Sequence, residues 1–372
     1  MGYGPAIDNT TPFCVRASPT NDLQGRDVVS IVAKLTWALI VEPNECRLVV
    51  AREQAPVRSF PEPAFRGAQS SIRYPADLAV DKVGTDVLLL GTAQPPPDVT
   101  ETTVRLSIHV EAGVTRLDKT VRVFGPRIYY KAMRSVVPGP PARLGPTPLL
   151  WELAYGGVTE SRPGEPPRIF DKNPSGVGFT RDPERLIGSV APALDGCFAP
   201  IPPHWEPRAS RAGTFDEAWR LERAPLAPRD RDPRYTSVAP DDQWLRHPLV
   251  GGETASIHGV WQPPLPLASR SAAQPTTGES SPPIQFVVPQ YAPRFEAVVL
   301  GATTSLPTHL DTLLIDTDKL VVETTYRTKA AIPRREFQLE RIRVRGSFSA
   351  AKLRFDSRQH SAEQGDERRT NT

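Results

Sequence analysis

The 372-residue sequence predicts a mainly β fold: antiparallel, sandwich-like sheets carrying long Pro/Gly/Trp-rich loops and a few short helices. The first reason is proline, present 42 times, about twice the share set by a usual ~5%. Proline fixes φ and lacks an amide donor, so it excludes long helices and interrupts central strands. The second is period-two alternation in several segments. The third is a central stretch in which apolar periodicity fades while aromatics recur. Hydrophobic residues at 39% and six tryptophans supply core material, which argues against disorder for most of the chain.

The strands follow in order. Asp27 to Ile40 is rich in Val and Ile and includes Thr36-Trp37. Val87-Leu88-Leu89-Leu90 is an apolar run suited to a core. Between Val104 and Val110, the residues Val104, Leu106, Ile108 and Val110 alternate with Arg105, Ser107 and His109, the pattern of a half-buried strand. Gly113 marks a turn, and Val114 to Phe124 reads as the return strand of an antiparallel meander. Strands resume at Ile284–Val288, Phe295–Leu300, Thr312–Ile315 and Leu320–Thr328, and Glu336 to Val344 alternates again.

The organisation that results is a β-rich region over 1–155 and a loop-rich aromatic and proline region over 156–268. A flexible Ser/Pro/Gly/Thr-rich insertion at 269–283 precedes strands that complete the fold over 284–355, and a charged, disordered tail ends the chain at 356–372. Chain length is compatible with one large unit or two joined β units. Loops beyond ~12–15 residues are usually functional or disordered. Here Phe170, Phe179, Trp205, Phe215, Trp219, Tyr235 and Trp244 recur through the loops. Each buries ~150–250 Å² when packed, so ordered loops pinned on a sheet are expected. One helix is expected inside them: Thr214 stands three residues before Glu217 as a capping box, Ala218 to Glu222 continue, and Pro225 stops the run.

Several function classes fall away. Forty-five basic against forty-two acidic residues give a net charge of +3, too balanced for an electrostatic nucleic-acid binder. Arg334-Arg335 and Arg341-Ile342-Arg343 are interleaved with Glu336 and Glu340 and read as a solvated strand face. Cys14, Cys46 and Cys197 lie far apart, offering neither a disulfide framework nor zinc spacing. The first residues resemble no signal peptide, and no run reaches the ~18 apolar residues of a membrane span. A cytoplasmic protein without cofactor is the expectation.

Catalytic templates are missing: no G-x-S-x-G, P-loop, H-E-x-x-H or C-x-x-C occurs. Gly176 and Gly178 begin a G-x-G, but Arg181 takes the place of the third glycine. The six histidines do not fall at metal-ligand spacing. Carboxylates are the one reservoir of acid/base groups, among them Asp171, Asp182, Asp216, Asp230, Asp232, Asp241, Asp242 and Glu253. A glycosidase would need two facing each other across a cleft. The plainer reading makes Asp182-Pro183 and Asp232-Pro233 turn formers and Asp216 a helix start. Asn173 to Phe179 is likewise either a stiff turn or a loop presented to a partner.

Together these segments resemble a known family, the domain of unknown function numbered twenty-one sixty-nine, found in Gram-negative bacteria beside type VI secretion genes. The matching features run in order: Asn9 to Phe13, Lys34 to Trp37, Asp77, Lys82, Asp86-Val87 and Gly91-Thr92-Ala93. Tyr155-Gly156-Gly157, Asn173-Pro174-x-Gly176-x-Gly178 and Gly213-Thr214-Phe215-Asp216-x-x-Trp219 follow. Pro225-Leu226-x-Pro228-x-Asp230, Ala239-Pro240-x-x-Gln243, Gly252-Glu253, Asp311-Thr312 and Arg327 complete a series spanning roughly residues 8–328. Pro126, Lys172 and Gly251-Gly252-Glu253 depart from the pattern at positions usually holding an acidic residue, which weakens any case for carboxylate chemistry.

The resemblance implies an adaptor or chaperone that holds a toxic effector and helps load it onto the secretion spike or its PAAR-repeat tip. The partners expected are therefore a secreted effector protein and the spike or tip protein, with no nucleic acid and no membrane. Candidate partner-binding residues are Asn173, Gly176, Gly178, Trp205, Thr214, Phe215, Asp216, Trp219, Asp230, Trp244 and Glu253. Trp and Arg are enriched among binding hot spots, although each tryptophan also suits a buried loop anchor. The alternatives are a polysaccharide-active hydrolase using loop carboxylates such as Asp216 and Glu253, or a structural component of the secretion baseplate.

Overall fold

The computed structural model describes residues 5–42, 45–65, 70–110, 113–159, 164–260, 283–332 and 339–346. Strands dominate these residues, joined by one α-helix, Glu217–Glu222, and five short 3-10 turns. The expected strands are present as Asp27–Glu42, Glu101–His109, Thr115–Phe124, Ile284–Val287, Arg294–Val299, His309–Asp316, Val321–Ala331 and Leu339–Arg345. The tail at 356–372, and all of the insertion except Pro283, lie outside the described residues.

Three larger sheets form the frame. In the seven-stranded sheet Trp244–Leu245, Thr85–Leu90, His309–Asp316, Val321–Ala331, Asp27–Glu42 and Cys14–Asn21 lie side by side, and Glu45–Val50 also pairs with Asp27–Glu42. A four-stranded sheet orders Thr115–Phe124, Glu101–His109, Thr254–His258 and Ile284–Val287. A second four-stranded sheet orders Ala6–Asn9, Leu339–Arg345, Arg294–Val299 and Ala302–Leu306.

The meander expected from the sequence is a single hairpin. Glu101–His109 pairs with Thr115–Phe124 around Gly113, and its other edge is taken by Thr254–His258 from far along the chain. Thr85–Leu90 runs parallel to His309–Asp316. Local alternation specifies a strand and its faces but is silent about which distant strand completes its hydrogen bonds.

The apolar faces meet in one core. Leu35, Leu89 and Ile315 come from the seven-stranded sheet, Leu106, Ile257 and Phe286 from the first four-stranded sheet, and Phe295 and Ile342 from the second. Thr85–Leu90 explains its own sequence, because both its faces are covered. Val87 and Leu89 enter the main core, while Leu88 and Leu90 turn the other way toward Tyr74, Cys197, Ala199 and Val238. A strand buried on both faces reads as an uninterrupted apolar run.

That outer face also carries a cluster of charges. Lys34, Asp86, Asp316, Glu323 and Arg327 are all buried there, and Arg58, Tyr74, Asp77 and Lys82 contact them. Arg58 grips Glu323 with two hydrogen bonds at 2.6 and 2.7 Å, and Lys34 contacts Asp77 and reaches Glu323 at 3.2 Å. Arg327 donates to Asp311 at 2.6 Å and to the carbonyls of Ala79 and Asp77. Lys82 pairs with Asp86 at 2.7 Å. Asp86 in turn accepts from Ser237 and from the Val238 amide at 2.8 Å, which ties the loop region to the sheet.

Burial works against Asp311, Glu323 and Asp77, and the neighbouring cations overcome it at the first two. Burial pushes Asp311 up, but Arg327 and Lys82 outweigh it and hold its carboxyl below the ordinary value. Glu323 is likewise lowered against its burial by Arg58 and Lys34. Burial prevails at Asp77, which stays raised despite Lys34. Lys34 is shared by two carboxylates, and the one with the bidentate arginine is the better ionised.

Arg327→Ala leaves Asp311 buried with only the more distant Lys82, and should cost about 3 kcal/mol in urea unfolding at neutral pH. A carboxylate depressed in the folded state contributes stability above its unfolded pKa near ~4 and loses it as pH falls through the folded value. Glu323→Gln should therefore be less stable than wild type at pH ~7, with the two urea midpoints converging as pH drops below ~4.

Candidate protein-binding surface

The loop region is held by its own side chains. Trp205 has no exposed surface and packs edge-to-face on Trp151 with ring centroids 6.1 Å apart. Trp151 donates its indole N–H to the Ala199 carbonyl at 3.0 Å. Asn173 is buried and spans the turn, donating to the carbonyls of Trp151 at 2.8 Å and Tyr155 at 3.1 Å. Gly176 fits because a Cβ there would lie 2.4 Å from the Asn173 amide nitrogen and 2.6 Å from the Ala154 carbonyl. Gly178, at φ +93°, passes beside Tyr129 and Pro192. Asn173 and Trp205 are buried and fix the loops, while Gly176 and Gly178 shape the turn and remain partly exposed.

Glu253 is also buried. It accepts from the Val250 amide at 2.9 Å and pairs with Arg116 at 3.3 Å. Trp244 is half-buried, donates to the Val83 carbonyl at 2.9 Å, and has Arg234 at 5.7 Å from its ring.

Five predicted residues do come together, around the short helix. The capping box is not formed. Asp216, in extended conformation, caps the helix by accepting from the Trp219 amide at 2.8 Å. Thr214 is drawn away: its amide and hydroxyl bind Asp230 at 3.1 and 2.7 Å. Aspartate is at least as good a cap as threonine, and Asp216 stands two residues after Thr214, directly before the helix. Hydrogen bonds from Thr214 hold the Asp230 carboxyl below the usual carboxylate range. Phe215 packs edge-to-face on Trp219 at 4.7 Å, and Trp219 donates to the Leu226 carbonyl at 2.8 Å. Thr214, Asp216, Trp219 and Asp230 line a shallow groove of about 230 Å³, while Phe215 and Leu221 stay exposed.

A larger apolar surface went unread in the sequence. Tyr129–Ala132 and Ser135–Pro138 form a hairpin whose tip, Met133, is 96% exposed and sits at φ +52°. It is the only methionine after position 1. Ile128, Tyr130, Ile187 and Val190 are exposed beside it, and Ile128 bridges Val190 across the backbone. Tyr155 and Val177 are exposed on paired residues of the adjoining segment, which reaches the hairpin where Gly178 meets Tyr129. The backbone beneath is braced: the Tyr129 amide donates to Ser189 and the Ala191 amide to Arg127. Lys131 pairs with Glu184 at 2.6 Å. A non-glycine residue at positive φ with an exposed apolar side chain is the signal that was available, though it exists only in three dimensions.

Asp216 and Glu253, the carboxylates considered for hydrolysis, have separate structural duties, the first as a cap and the second as a buried ion partner. Among the described residues no three His, Cys, Asp or Glu side chains converge as a metal site requires, and no helix is long and apolar enough to cross a membrane.

Anchors and exposed apolar residues should separate in a stability scan. Trp205→Ala should cost about 3–5 kcal/mol by chemical denaturation. Tyr130→Ala and Leu221→Ala should stay within about 0.5 kcal/mol of wild type.

No curated protein and no solved structure matches this chain. Residues 24–327 match the family described as an uncharacterized protein conserved in bacteria (DUF2169), and the chain belongs to that family.

Proposed function

We propose that this protein is a type VI secretion adaptor that binds a toxic effector and helps load it onto the spike or its PAAR-repeat tip. It catalyses no reaction itself and acts in the cytoplasm. The observation that carries this reading is the exposed apolar surface around Met133. Among the described residues, the seven apolar side chains of Ile128, Tyr130, Met133, Tyr155, Val177, Ile187 and Val190 are at least two-fifths exposed on segments locked to one another by backbone bonds. Several large apolar side chains left exposed on neighbouring segments of a folded chain suit a contact site, and a braced backbone limits the ordering cost of binding. Tyr130 and Met133 offer the centre of such a contact, and the helix bearing Phe215 and Leu221 a second point of attachment. Rigid loops on a β frame suit a carrier that must hold cargo without remodelling itself.

Met133 separates stability from binding. A methionine in the left-handed region is strained by about 1–2 kcal/mol. Met133→Gly should therefore leave the free protein at least as stable, while removing an exposed anchor. Titrating the purified full chain with the effector encoded beside it should give a complex that Met133→Gly and Tyr130→Ala each weaken by about tenfold or more. Absence of a complex with that effector, or wild-type affinity in both variants, contradicts the proposal.

A further inference from the structure

A cavity of about 440 Å³ lies apart from the hairpin surface, between the Thr20–Leu23 turn, residues 72–81 and the loop from Pro203 to Val238. That is the size of a small-ligand site. Its wall is apolar, with Pro75, Leu78, Val80, Pro225, Leu226 and Val238 among the lining residues.

Two arginines, Arg208 and Arg231, also line it, and among the described residues neither meets a carboxylate. Arg208 is only 7% exposed, and its guanidinium is fixed by the carbonyls of Tyr235 at 3.1 Å and Ile201 at 2.5 Å. Arg231 lies 4.4 Å over the Tyr235 ring, and Arg208 lies 5.6 Å from the same ring. The two cations are therefore held around one aromatic. Burial pulls Arg208 down to about 10 and lowers Arg231 as well. The two lining carboxylates are already occupied. Asp22 accepts from Arg26 and two backbone amides, and Asp81 pairs with Lys329 and accepts from the Leu23 amide.

Asp86 acts on Arg208 and Asp81 on Arg231 only from beyond ion-pair distance, and a nearly buried cation with no direct ion-pair partner is costly unless a ligand supplies one. We infer that this cavity binds an apolar chain ending in a carboxylate, with Arg208 and Arg231 receiving the carboxylate and the proline and leucine wall covering the chain. Asp22 and Asp81 in the same wall disfavour a doubly charged group such as phosphate. The shared chemistry has two sources, the C-terminus of a polypeptide and a free aliphatic acid.

Calorimetric titration of the full chain tests this with N-acetyl-Leu-Pro-Leu as free acid and as amide, and with octanoate and octanamide. At least one acid should bind, about tenfold or more tighter than its amide. Binding of the peptide acid alone assigns a chain terminus, and binding of octanoate alone a small-molecule acid. Arg231→Gln, at a side chain less buried than Arg208, should weaken the acid by about tenfold and leave its amide unchanged. Ala227→Leu, which narrows the cavity, should weaken both. Equal binding of acid and amide, undiminished binding to Arg231→Gln, or no binding of either acid up to ~10 mM overturns the inference.

Discussion

The structure depends on a buried charge layer over one face of a β-sheet. Lys34, Asp86, Glu323 and Arg327 project from the seven-stranded sheet on the side opposite the main core. Water cannot satisfy them once the loops close, so Arg58, Asp77 and Lys82 must sit where their charges are matched. An apolar interface tolerates sliding. A layer of paired, hydrogen-bonded charges accepts few registers, because any slip leaves an ion unpaired. That specificity is what lets a proline-rich loop region take one shape over the sheet without long helices or strands of its own.

The loop region inherits its position from this layer through Asp86, whose carboxylate is bound to Lys82 on one side and to Ser237 and Val238 on the other. Gln243 adds a second tie, donating to the carbonyls of Val87 in the sheet and Phe198 in the loops. From these ties outward the order passes to aromatics. Trp151 and Trp205 pack beneath, Asn173 clamps the turn, and large apolar side chains emerge at the hairpin, at the segments beside it and at the short helix. Function, on this account, is assigned to the residues left over once the architecture is satisfied.

The same division explains how much was legible in the sequence. Strands such as Glu101–His109 were readable because one buried face imposes alternation, and Val87 to Leu90 because two buried faces impose a run. Strand partners such as Thr254–His258 were not, since nothing local encodes a neighbour about 150 residues away. At the candidate site, the residues that stand out by type, namely Trp205, Asn173, Gly176 and Glu253, do so because burial and tight turns restrict what fits there. Several features carrying the family resemblance, including Lys34, Asp77, Lys82, Asp86, Asp311 and Arg327, belong to the charge layer. Tyr130, Met133 and Val190 escaped notice because an exposed apolar residue is unremarkable until its neighbours are known.

The central claim is that a loop layer already rigid in the free protein offers the hairpin surface to another polypeptide. Hydrogen–deuterium exchange of the full chain, alone and with the effector proposed as its partner, measures both halves at once. The account predicts slow exchange in the free protein at the amides of Gly157, Phe170, Asn173, Gly188 and Ala191, all of which donate to backbone carbonyls. It predicts further protection on adding effector, concentrated between residues 127 and 192. Rapid exchange across these amides in the free protein, or added protection lying wholly outside that stretch, contradicts it.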